Sequence, residues 1–278
     1  MIKISGEPFQ HSDLWADDSI ESMIVKQIEE DPAVYFYQSI EELKFEILLR
    51  KNILASARAM AQGEAEFETF AGSRGNPDYW TMSSRGGFQL NPGVKPSRAI
   101  RDFYRNSSLY AFECATAKVI VYYHAVLNTI GENIFDQLFQ NLYLYSWHFD
   151  SDLDIQTLEL DYFLPGDVVY FNNPDYNPET PWWRGENAIV MGDGTYFGHG
   201  LGLKTGDEII EFLNSTRKPN SNKSAYMMKL VVRPSFKLFE KIAILTRGYY
   251  AYKVPRAAIH HNETSISCDR YLFYLYTL

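Results

Sequence analysis

The segment from residue 109 to residue 132, LYAFECATAKVIVYYHAVLNTIGE, limits the fold more than any other. From Cys114 to Ile130 it reads as a helix that is apolar on nearly every side, so it must be covered all round. Gly131 stops it. No residue of the usual capping types precedes Cys114, so the thiol is expected in or near the first turn, without a fixed register. Elements able to cover such a helix lie on both sides of it. Residues 39–62 form the clearest helix, with Ser39 and Glu42 as a capping box and Gly63 as its stop. One apolar face carries Ile40, Leu43, Ile47, Leu54, Ala57 and Ala61, interrupted by Arg50. Pro96 starts a short third helix. After residue 141 the pattern changes to short strands, LYLYSWHF, DVVYF, NAIVM and TYFGHG, broken by one helix at about 207–214. The tail from residue 239, with KIAIL, YYAYKV and YLFYLYTL, reads as further strands, and residues 1–36 as an irregular approach. Helices first and strands second imply an α+β fold. No repeat or low-complexity linker divides residues 1–278, which are expected to form a single domain.

Composition excludes several functions. A formal net charge of −9 leaves no basic face for displacing counterions from nucleic acid. No window reaches the length of an apolar membrane span, and the first residues lack a signal-peptide core, so no membrane partner and synthesis in the cytoplasm are expected. Only two cysteines occur, Cys114 and Cys268, too few for a disulfide framework or a zinc set. Neither a metal nor a cofactor is implied.

Three features carry chemistry. Cys114 opens a buried helix, where unsatisfied N–H groups and the helix dipole favour a thiolate. The plain alternative is a small core residue. The adjacent Glu113 would by itself oppose ionisation. The second feature is ENAIVMGDGTYFGHG, residues 186–200, a hairpin turning at Gly192-Asp193-Gly194. A two-residue loop puts Glu186 and His199 on one face as a proton-transfer pair, whereas a three-residue loop puts them on opposite faces. A surface Glu–His pair is the ordinary alternative. The third feature is aromatic. Trp182-Trp183-Arg184 runs into Glu186, Trp147 ends an earlier strand, and Phe67 and Phe70 lie in a turn-rich segment. Such rings can wall a groove that keeps water from an acyl intermediate, or merely fill a core. His260-His261 is expected to be exposed, and Cys268 to be non-catalytic.

YAFECATA, LPGDVVYFNNP, WRGEN and GHGLG, in this order, resemble the spore-coat protein-glutamine γ-glutamyltransferases, the transglutaminases of spore-forming bacteria. ELKFEILLRKNI, SRAIRDF and SAYMM extend the likeness over about residues 37–230. The resemblance implies calcium-independent joining of a protein glutamine to a lysine with release of ammonia, between spore-coat proteins and in the coat itself. It implies Cys114 as nucleophile, with Glu186, His199 and Glu113 as acid–base groups. It places Trp147, Tyr170 and Trp183 near a tunnel, with Trp182, Arg184, Asn187, Phe67 and Phe70 as further substrate contacts. LPGDVVYF and ENAIVMGDG are also similar to the papain-like core of the NlpC-type cell-wall peptidases. That likeness implies a Cys-bearing helix packed on an antiparallel sheet, with Glu186 or Asn187 where the peptidase has its histidine. A cysteine peptidase or amidase acting on cell-wall peptides, and a non-catalytic coat protein, are the alternatives to the transferase.

Overall fold

Ser39 accepts a hydrogen bond from the backbone N–H of Glu42 and opens the longest helix in a computed structural model that describes residues 1–9, 14–244 and 256–277. The Glu42 carboxylate takes the N–H of Gln38, one residue before the cap, so the expected box closes one position early. Gly63 caps the far end in an extended conformation, with φ −78°. This helix follows a first one at Ile20–Glu30 (α1) and is α2, Ile40–Gln62. Then come α3 (Pro96–Arg105), α4 (Cys114–Ile130), α5 (Glu132–Leu138), α6 (Gly206–Ser215), α7 (Phe236–Ile244) and α8 (Cys268–Thr277).

Two expectations fail at the chain ends. The N-terminal approach is ordered into a three-stranded sheet of β1 (Ile2–Ile4), β2 (Glu7–Pro8) and β3 (Tyr35–Tyr37), with α1 inserted. The C-terminal tail holds helices α7 and α8 where strands were expected; YYAYKV lies outside the described residues. In YLFYLYT the apolar residues are nearly continuous, so the pattern does not separate helix from strand. Packing decides it: Cys268 and Tyr271, three apart, are both buried on one helical face, while Phe273 and Tyr276 are exposed.

Strands β4 (Glu66–Phe67) and β7 (Ala111–Phe112) pair in parallel, and β5 (Trp80–Met82), β6 (Phe88–Leu90) and β8 (Tyr143–Leu144) form a small sheet. The main sheet has six strands in the order β13-β12-β11-β10-β14-β9, all antiparallel. They are β9 (Ile155–Glu159), β10 (Val168–Asn172), β11 (Gly185–Val190), β12 (Thr195–Gly198), β13 (Gly202–Thr205) and β14 (Tyr226–Pro234).

Helix α4 packs between α2 and β11, which explains its all-round apolar surface. Val168, Ile189 and Phe197 face that core, and Val169, Phe171, Ala188 and Val190 face α6 on the other side of the sheet. Arg50, the interruption in the apolar face of α2, is fully buried. Its guanidinium meets Glu46 at 2.8 Å, Asp167 at 3.0 Å and the carbonyl of Pro165 at 2.8 Å, tying α2 to the turn before β10. A buried charge is tolerable only when paired and hydrogen-bonded in this way. Among the described residues no helix is long and apolar enough to cross a membrane.

Candidate active site

Glu113 is the missing cap of α4. Its carboxylate accepts from the N–H of Ala115 at 2.9 Å, the N–H of Thr116 at 2.8 Å and the Thr116 hydroxyl at 2.9 Å. Capping of this kind favours an anion at the helix start. It fixes Cys114 as the first helical residue and occupies two of the N–H groups at the helix start, which are then not free to hold an oxyanion. The Cys114 thiol is fully buried. It donates to the Ser265 hydroxyl at 3.3 Å and receives the Asn187 amide, also at 3.3 Å. Burial, with the charges of Glu186 and Glu113, holds the thiol well above its ordinary pKa. The dipole of α4 therefore does not prevail over desolvation and two carboxylates.

The turn between β11 and β12 has three residues. The Met191 N–H donates to the Thr195 carbonyl at 3.0 Å, with Gly192 and Gly194 at φ 84° and 82°. Ala188 pairs with Gly198, so the same register puts Asn187, and not Glu186, across from His199. Glu186 and His199 therefore start from opposite faces of the sheet, and the simple same-face pair is overturned. Glu186 nevertheless acts on the thiol electrostatically, since its charge raises the Cys114 pKa. Room for its side chain comes from Gly198: a Cβ there would lie 3.1 Å from Glu186 Oε1.

Both carboxylate oxygens of Glu186 are buried and without a hydrogen-bond partner among the described residues. Burial raises its pKa to about 8, the Glu113 charge adds to the rise, and the Lys118 ammonium opposes it. Two nearby carboxylates cannot both ionise freely in a buried site. Glu113 has three donors and Glu186 none, so of the two Glu186 takes up a proton first. An orphaned buried carboxylate with a pKa near neutrality is a candidate for acid–base work.

The His199 ring stacks on Phe112, with centroids 4.6 Å apart, and its Nε2 donates to the Glu66 carbonyl at 3.1 Å. Burial and the Lys118 charge lower its pKa to about 3, so the imidazole is neutral. Lys118 itself escaped the sequence reading. It is four residues past Cys114 on an otherwise apolar helix and fully buried. Its ammonium donates to the Phe197 carbonyl at 3.1 Å and lies 4.4 Å over the Phe197 ring. Burial lowers its pKa, against the pull of Glu186, Cys114 and Glu113. The visible signal was a lone cation one turn from the thiol.

The other candidates divide into two groups. Trp147 is buried and its Nε1 donates to the Ile266 carbonyl at 3.0 Å; Tyr170 donates to the Ser265 carbonyl at 2.8 Å; Asn187 also donates to Ile266 O at 2.9 Å. Of these three, Asn187 reaches the Cys114 thiol itself, while Tyr170 and Trp147 hold the carbonyls of Ser265, whose hydroxyl meets that thiol, and Ile266. Trp183 stacks on Phe67 at 5.5 Å and meets Phe212 edge-on at 4.7 Å, while Phe67 also touches His199. Arg184 pairs with Glu263 at 2.7 Å, and Phe70 stacks on Tyr145 at 4.3 Å beside His261. Trp182 is half-buried in the 3-10 turn Pro181–Trp183. His261, expected to be exposed, is half-buried against Ser146 and Phe70. Cys268 is buried at the start of α8, with its thiol pushed up to about 12, mainly by burial.

The geometry thus offers a thiol, an uncompensated carboxylate and a buried ammonium around one helix start. The model of the family described as protein-glutamine gamma-glutamyltransferase matches residues 1–243. A protein-glutamine gamma-glutamyltransferase of Halalkalibacterium halodurans is 46% identical over 278 residues, covering 100% of this chain and 98% of its own. One of Bacillus subtilis is 43% identical over 235 residues, covering 84% of this chain and 96% of its own. A solved transglutaminase from Geobacillus stearothermophilus, described as lacking its C-terminal extension, superposes with a TM-score of 0.70 at 48% identity. It covers 73% of this chain and 97% of the solved one. An α+β fold with a Cys-bearing buried helix on an antiparallel sheet agrees with that likeness. The chain belongs to the protein-glutamine gamma-glutamyltransferase family, and it is an acyltransferase.

Proposed function

We propose that Cys114 is the nucleophile and Glu186 the proton carrier of a two-step acyl transfer that cross-links spore-coat proteins. The observation that carries this reading is the buried Glu186 carboxylate, which has no hydrogen-bond partner among the described residues, whose charge raises the pKa of the Cys114 thiol, and whose own pKa lies at about 8. In the first half-reaction the thiol proton passes to the Glu186 carboxylate as sulfur attacks the γ-carboxamide carbon of a protein glutamine. The C–N bond then breaks, Glu186 returns the proton to the departing nitrogen, and ammonia leaves a thioester on Cys114. In the second half-reaction a neutral lysine amine attacks the thioester and gives its proton to Glu186. The released thiolate takes that proton back. A base with pKa near the working pH serves both directions. Lys118 offsets the negative charge that accumulates on sulfur and on Glu186. Glu113 holds the helix start, and neutral His199 packs on Phe112 and ties to the Glu66 carbonyl. No step calls for a metal.

Coat proteins as substrates are supported by the Bacillus relatives, a genus of spore formers, and by the sequence resemblance. Trp147, Tyr170 and Asn187 bind the glutamine peptide, and Trp183 with Phe67 walls the route to the thiol. The test is incorporation of a fluorescent primary amine into casein, with and without EDTA, by the wild type and Cys114→Ala. EDTA-resistant labelling that needs Cys114 is the expected result. Labelling by Cys114→Ala, or its abolition by EDTA, would refute the assignment.

A further inference from the structure

The last described segment, residues 256–277, lies beyond the 1–243 matched by the family and returns to the nucleophile. Its central residues, Ser265 and Ile266, are fully buried. The Ser265 hydroxyl lies 3.3 Å from Cys114 Sγ, the separation at which a reacting atom would sit. Tyr170 holds the Ser265 carbonyl at 2.8 Å, while Trp147 and Asn187 converge on the Ile266 carbonyl at 3.0 and 2.9 Å. On either side, Tyr145 donates to the His261 carbonyl at 2.5 Å, and Glu263 pairs with Arg184 at 2.7 Å. Ser265 adopts φ 54°, a conformation that serine rarely keeps unless its surroundings impose it.

These contacts are those of a bound peptide. Four side chains of the site read three main-chain carbonyls, a mode that does not depend on the sequence being bound. The anchoring comes from α8, where Tyr271 and Cys268 are buried, and from Arg270 and Tyr274, which brace Glu263 at 2.8 and 2.9 Å. A serine at the thiol offers no acyl carbon, so this occupant cannot be turned over.

We infer that residues 261–267 are an intramolecular pseudosubstrate: they fill the peptide-binding cleft with Ser265 in the place of the reactive glutamine and keep the enzyme latent until the segment is displaced. Displacement uncovers Cys114 and frees Trp147, Tyr170 and Asn187 to take the carbonyls of a substrate peptide. The inference rests on Cys114 being the nucleophile. The relative from Halalkalibacterium halodurans aligns along the whole chain, whereas that from Bacillus subtilis accounts for 84% of it, so relatives differ in how much of this chain they share.

The test uses the full-length chain. Ile266→Asp and Glu263→Lys weaken the segment's seat from within the segment. Two rates are read: alkylation of Cys114 by iodoacetamide, followed by peptide mass spectrometry so that Cys268 is scored separately, and amine incorporation into casein. Both rates are expected to rise at least tenfold in Ile266→Asp and severalfold in Glu263→Lys. Wild-type rates equal to those of both variants overturn the inference. Should the variants unfold, Ser265→Cys decides: under mild oxidation the introduced thiol is expected to form a disulfide with Cys114 that a reductant reverses. Failure to form it means that the segment does not sit on the thiol. Activity in Cys114→Ala would instead remove the nucleophile assignment. An inactive Cys114→Ala beside variants no faster than wild type removes the latent segment alone.

Discussion

Two regions put polar groups into the same buried space around Cys114, and they are held there by different means. The cradle of α4, β10 and β11 fixes Glu113, Lys118, Tyr170, Glu186 and Asn187 on regular main chain, within the region shared with the family. The C-terminal segment contributes Glu263, Ser265 and Ile266 from irregular chain, held mainly by side chains of the cradle and beyond the matched region. Reacting groups gain from rigid placement, because small displacements cost rate. An occupant that must leave gains from contacts that a substrate peptide can replace. Changes in the cradle should therefore abolish chemistry, and changes in the segment should release it.

The largest expected effect tests the cradle. Cys114→Ala should lower amine incorporation by about 10³-fold or more, as loss of a nucleophile does. The side chain is small and buried, so the change in stability should stay below about 1.5 kcal/mol in a thermal melt. A residual rate within tenfold of wild type would break the comparison at its first point.

The two carboxylates separate next. Glu186→Gln should lower the incorporation rate by about 10²–10³-fold, the usual contribution of an acid–base group. It should also remove a pH dependence. Glu186 has a folded pKa of about 8, raised from the ordinary value of 4.5. Between those values the folded chain holds a proton that the unfolded chain has lost, so stability falls as pH rises through that window. Glutamine does not titrate. The melting temperature of Glu186→Gln relative to wild type should therefore climb from pH 5 to pH 9. Glu113→Gln should behave as a cap, losing about 1 kcal/mol of stability with a rate loss under about tenfold. A larger rate loss for Glu113→Gln than for Glu186→Gln would exchange their roles.

His199 provides a smaller effect. Its folded pKa of about 3 lies below the ordinary value of 6.5, so the unfolded chain binds a proton that the folded chain excludes. The stability that neutral His199 supports is present above pH 6.5 and is lost as pH falls from there towards 3. His199→Gln should lose less stability than wild type between pH 6.5 and 4, and its incorporation rate at pH 7.5 should fall by no more than about tenfold. A loss of 10³-fold would make the imidazole a proton carrier after all.

How far these regions could be read from the sequence follows from how their residues are held. Cys114, Glu186 and Asn187 sit on elements whose periodicity declares them: a helix apolar on all sides and a strand with a strong turn after it. The position of Glu186 was less clear, because one residue in the turn decides the face, and Gly192-Asp193-Gly194 permits either count. Glu113 as a cap was missed because glutamate is an uncommon capping residue, and here it satisfies two N–H groups through one carboxylate. The C-terminal segment was not legible. YLFYLYT has the apolar density of a strand, and only the burial of Cys268 and Tyr271 against the core selects a helix. Nothing local to Glu263-Thr264-Ser265-Ile266 announces that its carbonyls meet Trp147, Tyr170 and Asn187, each more than 75 residues away, because that is a property of the fold alone.

The smallest effect concerns the turn that touches both regions. In Pro181–Trp183 and the residue after it, which run into β11 of the cradle, Trp183 packs against Phe67 and Phe212, and Arg184 holds Glu263 of the segment. Trp182 is half-buried and makes no ring stack among the described residues. Trp183→Ala should cost about 1–2 kcal/mol, less than a fully buried tryptophan would. Trp182→Ala should change stability by no more than about 0.5 kcal/mol, as surface substitutions do. Steady-state incorporation gives the sharper reading for Trp182. A ring that only borders the entrance should raise KM for casein by less than about threefold and leave kcat unchanged, since it adds equal binding to ground and transition states. A fall in kcat for Trp182→Ala would place that ring on the path of the acyl group, and the cradle would then extend one residue further towards solvent than its buried contacts indicate.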